Sequence, residues 1–140
     1  MDETARRETD EAPAFGRLTR RAEFQRTARG RRAQVEAFTL QANVRAEPSR
    51  FAGPRVGLTV TKKVGNAVVR NRIRRRLREA LRRASSLEAL PDHDYVLMAR
   101  EAALTIGFKT LIAEIDRAFR RMRRSDSRLG ARDSRKDGRS

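Results

Sequence analysis

A chain of 140 residues with 34 lysines and arginines against 18 acids, formal charge +16, is the size of one domain and repels itself unless an anion binds it. The absence of cysteine excludes disulfides, thiolate nucleophiles and zinc-thiolate sites, and makes a reducing, cytoplasmic setting the default. No apolar stretch approaches the roughly 20 residues of a membrane span, and the acidic start from Met1 to Glu11 lacks the basic-then-apolar order of a signal peptide.

Residues 1–16 mix both charges with Pro13 and Gly16 and have almost no apolar periodicity, so a disordered tail is expected. A helix follows, capped by Thr19 and running to about Arg29, with Phe24 as its apolar anchor among Arg20, Arg21, Arg26 and Arg29. Gly30 is expected to end it in the left-handed conformation. From Ala33 to Arg45 a loosely alternating segment rich in β-formers reads as strand, and Glu47 to Pro54 as loop. In the next strand Val56, Leu58 and Val60 share one face, and the chain then runs directly into Lys62 and Lys63.

Gly65 and Asn66 give a turn and an N-cap for a helix from about Ala67 to Ala84, which Ser85 and Ser86 weaken and Leu87 to Leu90 extend by a turn. Pro91 and Asp92-His93-Asp94 form a surface turn before a buried strand, Tyr95 to Ala99. Phe108, Leu111, Ile112, Ile115, Phe119 and Met122 recur at helical spacing, so a last helix ends near Arg123, and residues 124–140 read as a basic disordered tail. The result is one domain over 17–123 in the α+β class, with three helices against a small sheet. The segment from Arg55 to Arg100 has the order of a parallel crossover unit.

The middle helix carries the chemistry. Val69, Ile73, Leu77, Ala80, Leu81 and Ala84 make one apolar stripe, and Arg72, Arg75, Arg76, Arg78, Arg82 and Arg83 lie away from it. Arg70 and Arg74 fall at the border, where a guanidinium is partly shielded and oriented, and Asn71 lies outward between Arg70 and Arg72. Eight arginines with Glu79 as their one acid repel one another at turn spacing, and bound phosphates would relieve that repulsion. A solvated basic face is the plain alternative.

The block Lys62-Lys63-Val64-Gly65-Asn66-Ala67-Val68-Val69-Arg70-Asn71-Arg72-Ile73-Arg74-Arg75-Arg76-Leu77-Arg78-Glu79-Ala80 closely resembles the signature of the bacterial ribonuclease P protein subunit. The likeness extends from about Leu18 to Met122 and includes the early Glu23-Phe24 pair and the late Asp94-Tyr95-Val96 strand. It implies the order αβββαβα, a mostly antiparallel sheet of about four strands, and a left-handed βαβ crossover. It also implies a protein that binds a catalytic RNA and assists removal of the 5′ leader from precursor tRNA. In that arrangement the RNA subunit performs the hydrolysis with bound magnesium, in a one-to-one protein–RNA complex.

By the same resemblance Arg70, Asn71 and Arg72 lie against the catalytic RNA, with Arg74, Arg75 and Arg78 as phosphate contacts and Lys62 and Lys63 as the preceding basic pair. Phe24 and Phe38, with Arg20 and Arg21, are the expected leader-binding residues, since single-stranded bases stack on such rings. One turn after Phe24, a position often aromatic in the family is Ala28 here, and both phenylalanines equally suit a core.

No catalytic constellation or metal site is expected in the protein itself, whose one histidine, His93, sits between two aspartates with a structural or solvent role. Two rivals stand beside this reading: a ribosomal or general RNA-binding protein, and a basic amphipathic helix on an anionic membrane. The second is disfavoured because the helix has no tryptophan and few large apolar residues.

Overall fold

In the computed structural model, residues 15–45, 53–84 and 88–139 are described, with side chains through residue 124. Of the disordered tail expected over 1–16, residues 1–14 lie outside them, whereas Gly16 belongs to a strand and the Phe15 ring lies 6.1 Å from that of Phe119. Of the loop expected over Glu47 to Pro54, residues 47–52 lie outside them, as do residues 85–87 of the expected helix end.

The elements are β1 (Gly16–Arg17), α1 (Arg21–Ala28), β2 (Arg31–Gln34), β3 (Phe38–Val44), β4 (Arg55–Thr59), α2 (Ala67–Arg83), β5 (His93–Ala99), a 3-10 turn (Glu101–Leu104) and α3 (Phe108–Arg139). The sheet order is β1-β4-β5-β3-β2. β1–β4 and β4–β5 are parallel, and β3–β5 and β2–β3 are antiparallel. The α+β class is as expected, but the sheet has five strands and is evenly mixed instead of four strands and mostly antiparallel. The added strand, β1, has two residues, too few for any alternation to show. The helix after β4 returns the chain to a parallel neighbour, which forces β4–β5 to be a crossover unit.

The segment expected as one strand from Ala33 to Arg45 is a hairpin. Val35 N–H donates to Phe38 O at 3.0 Å, and the parity of buried residues switches there. Ala33, Val35 and Ala37 are buried before the turn, and Phe38, Leu40 and Ala42 after it. A single strand would send those two sets to opposite faces, whereas the turn lets both enter one core. That core joins them to Val56, Val60, Ile73, Leu77, Tyr95, Leu97, Leu111, Ile115 and Phe119 under α2 and α3.

Strand alternation places Arg55, Gly57, Gln41, Asp94 and Val96 on the other face, which α1 covers. The N-cap of α1 is Arg20 instead of Thr19, because the Glu23 carboxylate reaches back to accept the N–H groups of Thr19 at 3.2 Å and Arg20 at 3.1 Å. Gly30 is not left-handed. A Cβ there would stand 1.9 Å from Ala42 O, so glycine is needed for the close approach of β3. Residues 88–90 are not helical, and Leu90 N–H donates to the Tyr95 hydroxyl at 2.8 Å. α3 passes the expected limit at Arg123 and continues to Arg139, although its apolar pattern ends at Met122.

Candidate nucleic-acid interface

The arginine helix starts where the sequence places it. Asn66 Oδ1 accepts Val69 N–H at 3.0 Å, closing the first turn, and Gly65 lies so near Val69 that a Cβ would sit 2.8 Å from that side chain. Lys62 and Lys63 are exposed in the turn before it, which is held by Val64 N–H to Thr61 O at 3.1 Å and Gly65 N–H to Lys62 O at 3.3 Å. Ile73, Leu77, Ala80 and Leu81 are buried, so the apolar stripe faces the sheet as its period requires.

The arginines divide by what they touch. Arg72, Arg75 and Arg78 are exposed and, among the described residues, have no internal hydrogen bond or ion pair. Arg70 and Arg74 are half-buried at the border and oriented: Arg70 Nε donates to Gly65 O at 3.2 Å, and Arg74 Nη1 to Asn71 Oδ1 at 2.8 Å. Arg82 and Arg83 are drawn to Glu79 at 3.0 and 2.6 Å, and the two guanidiniums hold that carboxyl below the usual range. Arg76 differs from expectation. Half-buried, it donates to Ala103 O at 2.5 Å and to Ile106 O, so its fork ties α2 to the 3-10 turn instead of facing outward. At 100° per residue it stands at the stripe's opposite border from Arg70 and Arg74, a signal the wheel already contained.

The expected leader residues are not brought together. Phe24 is half-buried, outside the main core, with its ring laid over Gly57: a Cβ there would be 2.5 Å from Phe24 Cε1. Phe38 is 0% exposed on the opposite face of the sheet, so it is a core residue and not a cleft residue. Beside α1 the cross-strand row Thr39–Met98–Thr59 is only half-buried, whereas the next row, Gln41–Val96–Gly57, is buried. That difference defines a groove with Phe24 at its wall and Thr39, Met98 and Thr59 as its floor, and β4 leads from it into Lys62. Thr39, Gln41 and Asn43, not Phe38, are the β3 residues facing α1, where Asn43 Nδ2 donates to Arg26 O at 3.0 Å, and only the hairpin parity could have revealed them. Gln41 Nε2 is sealed there without a hydrogen-bond partner among the described residues. Arg20 and Arg21 are exposed at the start of α1.

A charged clamp sets α1 on the sheet. Arg55 Nε and Nη2 each donate to Asp94 at 2.9 Å, its Nη1 reaches Glu23 Oε2 at 3.0 Å, and Arg45 Nε lies 3.4 Å from Asp94 Oδ1. Burial works against charge on Glu23, but the N–H groups of Arg20 and Thr19 and the Arg55 guanidinium outweigh it, so its carboxyl lies below the usual range. A depressed folded value stabilises above the unfolded value and is lost as pH falls through the folded one. Glu23→Gln is therefore expected to cost about 1 kcal/mol at neutral pH, with the gap to the parent closing in acid. Urea melts at pH 7 and pH 3 measure it, and a gap equal at both would show that the charge is not what matters.

His93 is 6% exposed at the start of β5, not in a surface turn. Its Nδ1 lies 2.8 Å from Asp92 Oδ1, its Nε2 3.5 Å from Arg31 Nη2, and its ring stacks on Tyr95. Among the described residues no three His, Cys, Asp or Glu side chains gather as a metal site, and no helix is long and apolar enough to cross a membrane.

A family profile described as ribonuclease P matches residues 13–123. The chain is 45% identical over 106 residues to the ribonuclease P protein component of Brucella suis, covering 72% of this chain and 75% of that one. With the component from Gluconacetobacter diazotrophicus it shares 45% over 108 residues, covering 75% and 89%. Among solved structures, the Staphylococcus aureus RNase P protein superposes with a TM-score of 0.60 at 27% identity, over 74% of this chain and 92% of that one. The RNase P protein of Thermotoga maritima superposes at 0.58 and 24% identity, over 72% and 96%, a likeness of fold.

Proposed function

The chain belongs to the ribonuclease P protein family, and on that premise we propose that it binds the catalytic RNA of ribonuclease P and the 5′ leader of precursor tRNA, assisting leader removal. The observation that carries this reading is the outward face of α2, where Arg72, Arg75 and Arg78 have no internal partner among the described residues. Guanidiniums held on a rigid helix and left unpaired are matched to backbone phosphates. Arg70 and Arg74, with Asn71, extend that surface at its border, and Lys62 and Lys63 extend it at its start. The leader is assigned to the groove beside α1, whose floor is partly exposed, with Phe24 as the ring on which a base stacks and Arg20 and Arg21 as flanking charges.

In this reading the protein supplies position and charge. Hydrolysis belongs to the RNA subunit and its magnesium ions, in a one-to-one complex in the cytoplasm. Reconstitution tests it: the protein is expected to stimulate cleavage of precursor tRNA by a bacterial ribonuclease P RNA at low magnesium. No stimulation would leave a general RNA-binding protein as the better account. Phe24→Ala is expected to lower discrimination between precursor and mature tRNA by roughly tenfold, the worth of one stacked base, while leaving affinity for the catalytic RNA intact. Equal loss for both tRNAs would remove the leader from the groove.

A further inference from the structure

The final helix carries a second face of one sign. Through residue 124, every exposed charge on α3 is positive: Lys109, Arg117, Arg120, Arg121, Arg123 and Arg124. Its acids turn inward. Glu114 is 5% exposed and accepts Ala37 N–H at 3.0 Å, its other oxygen lying 3.5 Å from Arg117 Nη2, and Asp116 is half-buried with its Oδ1 sealed from solvent. Lys109, Arg120 and Arg124 carry the charge that no such pair offsets among the residues whose side chains are described. At 100° per residue Lys109, Arg117, Arg120 and Arg124 fall on one side of the helix. Arg121 beside them donates from Nη1 to Gln34 O at 3.0 Å, which fixes the stripe over β2, the far edge of the sheet. Exposed Arg29 and Arg32 add charge on that edge, with Glu36 as an acidic neighbour. β2 stands three strand steps from β4, the strand that leads to Lys62 and α2, or about 14 Å away.

We propose that this stripe is a second phosphate-binding surface, which holds an RNA segment separate from the one on α2, so that the protein bridges two parts of a folded RNA. Like charges at turn spacing cost stability without a counter-anion, and solubility alone would be met by mixed signs. The exposed positions between the arginines are Thr110 and Ala113, with no aromatic or long aliphatic group to enter a bilayer, so the chemistry favours phosphate backbone over a lipid surface. The partner's being RNA rests on the function proposed above.

The test uses the full chain with Arg120→Gln and Arg124→Gln, two residues that have no internal partner among the residues whose side chains are described, 15–45, 53–84 and 88–124. Binding to a bacterial ribonuclease P RNA is titrated at several salt concentrations beside an Arg72, Arg75, Arg78→Ala variant. The pair is expected to lower the salt slope by about two units and the affinity roughly tenfold, multiplying with the α2 variant. R120K with R124K is expected to restore most of the loss, which a structural role for arginine would not allow. An unchanged slope and affinity, with the α2 variant impaired, would overturn the second surface and leave the proposed function standing. No effect of either variant would remove both. Loss of binding to phosphatidylglycerol vesicles with RNA binding unchanged would assign the stripe to a membrane and overturn the proposal.

Discussion

Phe38→Ala is expected to destabilise the fold by about 3–5 kcal/mol, the usual cost of deleting a buried ring from a core that cannot close over the space. Phe38 is 0% exposed and belongs to the cluster with Leu40, Leu97 and Leu111, so nothing but neighbouring side chains can fill what it vacates. For a domain of this size that is a large share of total stability. Urea denaturation monitored by circular dichroism measures it, and RNA binding should fall only in proportion to the unfolded fraction. Phe24→Ala is the contrast, since that ring is half-buried over Gly57 and outside the main core. If Phe38→Ala instead cost under about 1 kcal/mol and weakened leader binding, the ring would have to reach the groove from the wrong side of the sheet.

Substituting Arg72, Arg75 and Arg78 together by alanine is expected to weaken binding to the catalytic RNA by a factor of about 100 or more at moderate salt. The slope of log affinity against log salt should fall by about three units, one per released phosphate contact. Stability should stay within about 0.5 kcal/mol of the parent, because all three side chains are exposed and lack internal partners among the described residues. Arg76→Ala should behave in the opposite way: it loses the bonds to Ala103 O and Ile106 O, costs about 1–2 kcal/mol of stability, and leaves the slope unchanged. A slope that dropped equally for both variants would erase the division between outward and tethered arginines.

The α1 clamp and the groove share one dependence. Arg55 spans Glu23 and Asp94, and Asp94 is 3% exposed, so the clamp that seats the helix also sets how far Phe24 stands from the Thr39–Met98–Thr59 floor. Gly57 is the other half of that geometry, since any side chain there would meet the Phe24 ring. The groove is thus a product of helix seating as much as of the residues lining it.

The α+β class, the arginine helix with its Asn66 cap, and the separation of its apolar stripe from Arg72, Arg75 and Arg78 are legible in the order of residues alone. Those features repeat over many residues of one element, so the 3.6-residue period alone resolves them. Contacts between elements set what a single element cannot encode. A two-residue strand pairs with β4 only because the chain brings it there. The turn before Phe38 reverses which face each β3 residue takes, moving that ring into the core and Thr39 and Gln41 toward α1. Arg76 is committed by two carbonyls 27 and 30 residues later in the chain, and Gly30 by the approach of β3. Face and partner in those cases depend on contacts distant in sequence, for which local periodicity carries no information.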